Sequence, residues 1–284
     1  MTPDQLPPLR DVIAQHDLGA KKTFGQHFLL DLNLTAKIAR LAGDMSDKHA
    51  IEIGPGPGGL TRAILAEGAR HLTLVEKDPR FLPALAEVGA AYPGQLDIVE
   101  GDALEVDETR FMPAGQSVIL SNLPYNVGTH LMIKWLESDP IWWTRAVLMF
   151  QREVADRIVA RVGEKAYGRL AILSQSRASV RLALKVTARA FTPPPKVESA
   201  VIVVDPLPAD QRFEDLKALE AVTASAFGQR RKILRRSLAQ AAHQASTPVD
   251  SLIEAAGLDP SARAETIDIE GFQALARAWR AARG

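Results

Sequence analysis

The stretch HAIEIGPGPGGLTRAILAE, residues 49–67, decides the fold. Its apolar and β-branched start, residues 49–53, predicts a buried strand, and residues 59–67 predict a helix. The turn between them contains four glycines: Gly54, Gly56, Gly58 and Gly59. Such glycines let the backbone approach a ligand closely and leave helix N–H groups free to meet it. The spacing suits more than one nucleotide-like ligand, so the turn alone does not identify the ligand.

Strands and helices alternate on either side of this stretch. Further strands are predicted at residues 71–76, 96–100, 117–121 and 145–150, with helices near 79–90 and at 153–162. This alternation predicts a parallel sheet covered by helices on both faces. Residues 181–189 and 199–204 look like two more strands, and a terminal antiparallel hairpin is plausible because no helix separates them. The fold class is therefore α/β, with a mainly parallel sheet of seven strands.

A change of pattern divides the chain after the last predicted strand. Asp205-Pro206-Leu207-Pro208 interrupts the alternation, and from Phe213 onward only helical periodicity remains. We therefore expect a larger α/β domain over residues 1–205 and a small all-α domain over residues 206–284.

Composition excludes several classes of protein. The 284 residues are 46% hydrophobic and 24% charged, as in ordinary globular proteins. The chain has no cysteine, and its six histidines show no ligand-like spacing, so we expect neither a disulfide nor a metal site. Residues 1–9 do not resemble a secretory signal, and no apolar run approaches the ~20 residues of a membrane span. We expect a cytoplasmic protein that acts as a monomer.

The formal net charge is zero, but the charges are unevenly distributed. Residues 1–150 contain 13 Lys and Arg against 19 Asp and Glu, whereas residues 151–196 contain 10 against 3. A second basic cluster lies at residues 230–236. This asymmetry is compatible with a polyanion bound on one side, and equally with helices that carry solvated cations.

Two carboxylates follow consecutive predicted strands. Glu76 ends the second strand, where it can accept hydrogen bonds from both hydroxyls of a ribose. Asp102 follows the third strand, where it can accept from an adenine amine. Either acid alone could be a solvated residue at a strand end, but both behind a glycine turn predict a nucleotide-like cofactor. A nicotinamide-dependent oxidoreductase would fit the same features, although no Tyr-x-x-x-Lys pair or catalytic histidine supports hydride transfer.

The segment Asn122-Leu123-Pro124-Tyr125 lies at the carboxyl end of the fourth predicted strand, where substrate meets cofactor in an open α/β sheet. The Asn122 amide oxygen and a main-chain carbonyl of Leu123-Pro124 can accept both N–H bonds of an exocyclic amine. The Tyr125 ring can stack on the base. The segment therefore predicts transfer of a methyl group to the amine of a nucleobase.

The chain resembles a known family, the ribosomal RNA adenine N6-dimethyltransferases, and within it the members that act on small-subunit (16S) rRNA. The resemblance is carried by residues 22–29 (KTFGQHFL), by the glycine turn, and by Glu100-Gly101-Asp102. It continues through Asn122 to Tyr125, FTPPPKVES at 191–199 and FGQRRK at 227–232. It implies a Rossmann-like class I methyltransferase that uses S-adenosylmethionine.

The resemblance also implies functional residues. Cofactor contacts fall on His27, Leu29, Gly54, Glu76, Asp102 and Asn122, and Gly56 joins them through the glycine turn. The family usually has Asn where His27 stands. Phe191 is expected to stack on the face of the base opposite Tyr125. Independently of the resemblance, phosphate contacts are expected from cations near the start of the chain, on the predicted helix after the fifth strand and in the second basic cluster: Lys21, Lys22, Arg152, Arg157, Arg161, Arg230, Arg231, Lys232, Arg235 and Arg236.

The implied substrate is a hairpin loop with two adjacent adenines near the 3′ end of 16S rRNA, within the immature small ribosomal subunit. On a helix, Arg231 and Arg235 would share one face, as would Lys232 and Arg236. Two alternatives remain open at this point: methylation of large-subunit rRNA, and a non-catalytic RNA-binding assembly factor with a relict fold.

Overall fold

A computed structural model describes residues 2–20, 26–123 and 127–284. The chain divides into two compact units. The first comprises residues 1–155 and 181–206, and the second comprises residues 156–180 and 207–284.

The first unit is built on a seven-stranded sheet. Its strands are β2 (His49–Ile53), β3 (His71–Glu76), β4 (Leu96–Glu100), β5 (Ser117–Asn122), β6 (Trp143–Gln151), β7 (Ala178–Val186) and β9 (Ser199–Pro206), in the order β4-β3-β2-β5-β6-β9-β7. Strands β4, β3, β2, β5 and β6 pair with their neighbours in parallel, whereas β9 runs antiparallel to β6. The predicted sheet is thus confirmed, with β9 lying between β6 and β7.

Helices α3 (Gly59–Ala66), α4 (Leu82–Ala91) and α5 (Gly128–Glu137) connect β2 to β3, β3 to β4 and β5 to β6, as the alternating pattern predicts, whereas β4 leads to β5 through a loop with a 3-10 turn. Two further helices of this unit, α1 (Leu9–Gln15) and α2 (Leu32–Arg40), precede β2. The residues of β2, β3 and β5 are almost completely buried, because these parallel strands are covered on both faces, whereas β4, at the edge of the sheet, is half-buried to exposed. The order of strands reverses between β2 and β5, and the carboxyl ends of these two strands mark the place where open α/β sheets bind ligands.

A second, two-stranded sheet joins distant parts of the same unit. β1 (Phe28–Leu29) pairs antiparallel with β8 (Phe191–Thr192), and Leu29 lies opposite Phe191. Both strands are too short for a sequence pattern to predict them. This pairing fixes the segment before α2 beside the segment that leads into β9.

The second unit is helical. It contains α7 (Arg169–Gln175), α8 (Leu216–Gly228), α9 (Leu234–Ser237), α10 (Ala239–Gln244), α11 (Val249–Ala255) and α12 (Ile269–Arg283). Phe227 stacks on Phe272 with ring centroids 5.5 Å apart, and the buried Tyr167 hydroxyl donates to the Ile267 carbonyl at 2.9 Å. Such aromatic packing around a satisfied polar group holds this unit together.

The division differs from the boundary expected from the sequence. Residues 156–180, which fall within the predicted larger domain, group with the helical unit. The physical reason is that α7 packs against α8 and α12. The chain changes unit within α6 (Arg152–Val159), within β7 and after β9.

None of the helices in the described ranges is both long enough and apolar enough to cross a membrane.

One glycine of the turn is required by close backbone packing. A Cβ atom at Gly59 would lie 2.5 Å from the main-chain oxygen of Leu29. We expect Gly59→Ala to lower the free energy of unfolding by about 1–3 kcal/mol, because backbone atoms must move to admit the methyl group. Urea unfolding followed by tryptophan fluorescence measures this. Gly19→Ala is the matched control, since a Cβ there meets nothing within 4 Å; equal stability of the two variants would contradict the prediction.

Candidate active site

A cavity of about 200 Å³ opens at the carboxyl ends of the parallel strands of the first unit. Its walls come from the segment before α2, the glycine turn, and the loops after β3, β4 and β5. All seven residues predicted to contact the cofactor line it: His27, Leu29, Gly54, Gly56, Glu76, Asp102 and Asn122. The structure therefore brings together residues that lie far apart in the sequence.

The glycine turn is held against the end of β3. Gly56 has a φ of +54°, a left-handed conformation that side chains disfavour, and its N–H donates to Glu76 Oε2 at 3.1 Å. The Gly54 N–H donates to the Val75 carbonyl at 2.9 Å. These two bonds fix the turn so that its backbone forms one wall of the cavity.

Glu76 is the acceptor around which this wall is organised. Its Oε1 accepts the Asp78 N–H at 2.8 Å, while Oε2 accepts from Gly56. Burial raises the pKa of Glu76, and the two backbone N–H groups oppose that rise. Each carboxylate oxygen still has a lone pair for a further donor, which suits it to a pair of ribose hydroxyls.

Asp102 lies in the loop after β4, the strand beside β3, and its carboxylate already accepts hydrogen bonds within the protein. Lys77 Nζ donates to its Oδ2 at 2.6 Å, and the Leu104 N–H donates to Oδ1 at 3.0 Å. The Lys77 ammonium and, to a lesser extent, the Leu104 N–H lower the pKa of Asp102, so this carboxylate is ionised at neutral pH. Lys134 on α5 supports the loop by donating to the carbonyls of Ala103, at 2.7 Å, and Val106.

Asn122 ends β5 at the edge of the cavity. The preceding Ser121 hydroxyl donates to the Ile53 carbonyl at 2.6 Å, which ties the end of β5 to the end of β2. Asn122 Nδ2 donates to the His27 carbonyl at 3.1 Å. With the amide nitrogen engaged in this way, the amide oxygen is the atom left to accept a hydrogen bond from a ligand.

His27 stands where the family usually has Asn. Its main-chain carbonyl holds Asn122, and its ring Nδ1 lies 2.8 Å from the Pro193 carbonyl. The contact to Asn122 therefore depends on the backbone of residue 27 and not on its side chain. The change from Asn to His is compatible with the same position of Asn122.

Phe191 does not line the cavity. Its side chain is 2% exposed and belongs to the hydrophobic core, with the His27 ring edge-on at 6.4 Å. The prolines that follow it do not keep the ring out of the core, because the pairing of β8 with β1 draws it inward. Leu123 does line the cavity, whereas Pro124, Tyr125, Lys21 and Lys22 lie outside the described residues. The stacking role of Phe191 and Tyr125 stays a prediction.

Two buried acids of the cavity wall, Glu52 and Asp78, were not predicted from the sequence. Glu52, in β2 just before the glycine turn, is 1% exposed. The Thr61 hydroxyl donates to its Oε2 at 2.6 Å. Burial raises the pKa of Glu52 to about 8, the Thr61 bond opposes the rise, and the Glu76 carboxylate adds to it. Its position in the strand immediately before Ile53-Gly54 was the available signal. Gln26 also lines the cavity and was not predicted.

The buried Glu52 makes stability depend on pH. Between pH 4.5, the ordinary pKa of a glutamate, and about pH 8, Glu52 is deprotonated in the unfolded chain but keeps its proton in the folded chain. Rising pH in that window therefore favours unfolding. We expect the Glu52→Gln variant to unfold at a higher urea concentration than the wild type. The difference between their urea midpoints should be small at pH 5 and largest near pH 8. The exposed Glu137→Gln is the control; a gain independent of pH would contradict the assignment.

The predicted phosphate-binding residues fall in both units. Arg152, at the start of α6, is half-buried, and Arg157 and Arg161 are exposed. In the helical unit Arg231, Lys232, Arg235 and Arg236 are exposed, while Arg230 pairs with Glu265 at 2.9 Å and Arg235 pairs with Asp250 at 2.7 Å.

The expectation that one helix carries the second basic cluster is wrong. α8 ends at Gly228, a turn follows, and Ile233 forms an isolated β-bridge with Arg263 before α9 begins. Arg231 and Arg235, and likewise Lys232 and Arg236, are therefore not neighbours on a helical face.

The donors and acceptors of the cavity fit a nucleoside cofactor with a charged tail. The left-handed Gly56 brings backbone close to the cavity, Glu76 offers a buried carboxylate, and Asp102 offers an ionised acceptor after the neighbouring strand. Apolar side chains, including Phe28, Leu29 and Phe81, complete the lining. Within the described ranges no cluster of three or more His, Asp or Glu side chains could hold a metal ion.

Comparison with known proteins identifies the family. A family model described as "Ribosomal RNA adenine dimethylase" matches residues 18–276. The ribosomal RNA small subunit methyltransferase A of Maricaulis maris is 72% identical over 283 residues, spanning 99% of this chain and 98% of the relative. The protein of the same name from Jannaschia sp. is 56% identical over 276 residues, spanning 96% and 94%.

Solved structures show the same fold. A dimethyladenosine transferase from Plasmodium falciparum has a TM-score of 0.74 at 24% identity, with 88% of this chain and 96% of that chain covered. The 23S rRNA methyltransferase ErmE has a TM-score of 0.63 at 24% identity, with 89% and 99% covered. At this level of identity the likeness concerns the fold alone.

The fold and the cavity define a class I methyltransferase that uses S-adenosylmethionine. The chain belongs to the ribosomal RNA adenine dimethylase family. The family, fold class, enzyme class and cofactor predicted from the sequence are thereby confirmed, and the oxidoreductase and non-catalytic alternatives are excluded.

Proposed function

We propose that this enzyme dimethylates two adjacent adenines of a hairpin loop near the 3′ end of 16S rRNA, within the immature small ribosomal subunit. The observation that carries the proposal is the 72% identity, over nearly the whole of both chains, to a relative named for the small subunit. Identity at this level across both units supports a shared substrate as well as a shared fold.

His27, Leu29, Gly54, Gly56, Glu76, Asp102 and Asn122 would hold the cofactor, which supplies an electrophilic methyl group when bound. Glu76 would accept the ribose hydroxyls, because its carboxylate is buried and oriented by two backbone N–H groups. Asp102 would accept a hydrogen bond from the adenine amine of the cofactor. Both are assignments from geometry and resemblance together.

Asn122 and Leu123 would position the target amine. The nitrogen of an adenine amine is a poor nucleophile because its lone pair is delocalised into the ring. Acceptance of its two N–H bonds by Asn122 Oδ1 and a carbonyl of Leu123-Pro124 favours a tetrahedral nitrogen with a localised lone pair. The bond from Asn122 Nδ2 to the His27 carbonyl supports this role, because it holds the amide in one orientation. Positioning of this kind supplies catalysis without a strong base.

The target adenine must leave its helix to reach the cavity, at a cost of a few kcal/mol that favours loop adenines. Tyr125 would stack on one face of the base. Phe191 would take the other face only after its buried ring moves toward the cavity. Stacking on an aromatic ring contributes about 1–3 kcal/mol per base, enough to offset the cost of extrusion.

RNA would be held by cations on both units: Lys21, Lys22, Arg152, Arg157, Arg161, Arg230, Arg231, Lys232, Arg235 and Arg236. The exposure of Arg231, Lys232 and Arg236 supports a phosphate-binding role for that cluster. We also propose that the enzyme acts as a monomer in the cytoplasm, where ribosomal subunits assemble. Light scattering on the purified protein tests the monomer.

The experiment is incorporation of tritiated methyl groups into 30S particles that lack the modification, followed by nucleoside analysis. We expect labelled dimethyladenosine at two adjacent positions near the 3′ end of the RNA. Unmodified 50S particles are the parallel substrate, and they test methylation of large-subunit rRNA. Label confined to 50S particles, or on a base other than adenine, would overturn the proposal.

A further inference from the structure

The cations of one basic segment play no part in the assignments above. From Lys165 to Val197 the sequence contains seven Lys and Arg residues and not a single Asp or Glu. Part of this segment forms β7 and the turn that follows it. Three of its cations belong to the first unit's edge strand and turn, namely Arg181, Lys185 and Arg189.

β7 is the last strand of its sheet, and its two faces differ. Val186 is buried in the core, and Ala183 and Leu184 pack against that core, whereas Arg181 and Lys185 are exposed. Because side chains alternate along a strand, Arg181 and Lys185 project from the same face of β7, called the outer face below. Arg181 and Lys185 are four residues apart, or about 13 Å along an extended strand.

These cations are available for a ligand. Arg181, Lys185 and Arg189 are exposed, and none of the ion pairs formed within the described ranges engages them. Ala183, which lies between the two strand cations in the sequence, is small and half-buried against the core, so it adds no bulk between the two charges. A row of unpaired charges with a small residue between them suits a linear polyanion better than a compact ligand.

The row leads to the cavity edge of the sheet. In the pairing of β6 with β9, Gln151 lies opposite Ser199, so β9 starts at the carboxyl edge of the parallel strands. β7 is followed by the turn Ala188–Ala190 and then by Phe191, which pairs with the cavity residue Leu29. Arg189 in this turn therefore lies nearest the cavity along the chain, and Arg181 lies farthest.

We propose that Arg181 and Lys185 on the outer face of β7, together with Arg189 in the turn that follows, bind the phosphate backbone of the target RNA beside the adenine that enters the cavity. This inference rests on the proposed function and adds to it the path of the flanking strand. Charge complementarity selects the occupant: a row of cations at the entrance to an rRNA-modifying site faces a polyanion.

The test compares two double variants that remove equal charge. The Arg181→Gln/Lys185→Gln double variant removes the two cations of the strand, and a triple variant with Arg189→Gln also removes the cation of the turn. Lys37→Gln with Arg70→Gln is the matched control, since both residues are exposed and Arg70 precedes β3 at the opposite edge of the sheet. Filter binding to a 16S rRNA transcript over a salt series measures RNA affinity, and methylation of unmodified 30S particles measures kcat and KM.

We expect each row substitution to reduce the slope of log K against log salt by about 0.7–0.9, hence by about 2–3 for the triple variant. KM for particles should rise about tenfold or more in the triple variant, while kcat and cofactor affinity stay within twofold. The control double variant should match the wild type.

Charged residues on an edge strand can also serve only to prevent strands of two molecules from pairing. That role predicts aggregation of the variants with an unchanged salt slope, and this result would overturn the inference. Failure of the wild type to methylate 30S particles would count against the proposed function, whereas the salt slopes on the transcript would still decide the role of β7.

Discussion

Asn122→Ala is expected to reduce the rate of methyl transfer by about 100- to 1,000-fold, comparable to the loss of one pre-organised hydrogen-bonding group at a reaction centre. The variant lacks the acceptor that holds the target amine, so the lone pair of the nitrogen is no longer localised. Single-turnover incorporation of tritiated methyl groups into unmodified 30S particles measures the chemical step. Cofactor affinity, measured by calorimetry, should fall less than tenfold because six other contacts remain.

Two further variants separate the roles of the Asn122 amide. Asn122→Asp keeps an oxygen acceptor but cannot donate to the His27 carbonyl, so its rate should lie between those of the wild type and the alanine variant. Asn33→Ala, on the exposed surface of α2, controls for loss of an amide. A rate for Asn122→Ala within threefold of the wild type would remove Asn122 from the mechanism.

Glu76→Ala is expected to raise the dissociation constant of S-adenosylmethionine by about 100-fold or more. Hydrogen bonds to a charged group contribute about 1.5–3 kcal/mol each, and two ribose hydroxyls would lose their acceptor. The same change leaves the N–H groups of Gly56 and Asp78 without a partner, which loosens the cavity wall. Calorimetric titration measures the affinity.

The pKa of Glu76 provides an independent check. Burial raises that pKa, and only the ionised carboxylate accepts from both hydroxyls, so cofactor affinity should decline on acidification before ordinary glutamates titrate. Glu100→Ala is the matched control, because Glu100 lies opposite Glu76 in the pairing of β3 with β4, is exposed, and does not line the cavity. Equal affinity in the two alanine variants would contradict the assignment of Glu76.

The sequence predicts the sheet well because local chemistry sets it. β2 and β3 begin and end at the predicted residues, since short apolar runs are bounded by glycine, aspartate or charged residues. β7 occupies Ala178–Val186 instead of residues 181–189, because Ala178-Ser179 carry little β-propensity while the chain after Val186 turns into a 3-10 helix. Glu76, Asp102 and Asn122 converge because parallel strands end at one edge.

Long-range contacts explain what the sequence could not predict. The pairing of Leu29 with Phe191 involves two-residue strands, and it buries a ring that the nearby prolines suggest is accessible. The high pKa of Glu52 depends on complete burial beneath a turn, which periodicity does not report. The break after Gly228 depends on a β-bridge from Ile233 to a distant residue.

The pairing of β1 with β8 has a consequence for biosynthesis. While the polypeptide is still emerging from the ribosome, the glycine turn and its acids are available early, but Phe191 and Thr192 are not. A nascent chain therefore lacks the partner that fixes Phe28 and Leu29, and the wall they form is completed only near the end of translation of this unit. An unfinished copy of the enzyme should therefore lack a complete cofactor cavity.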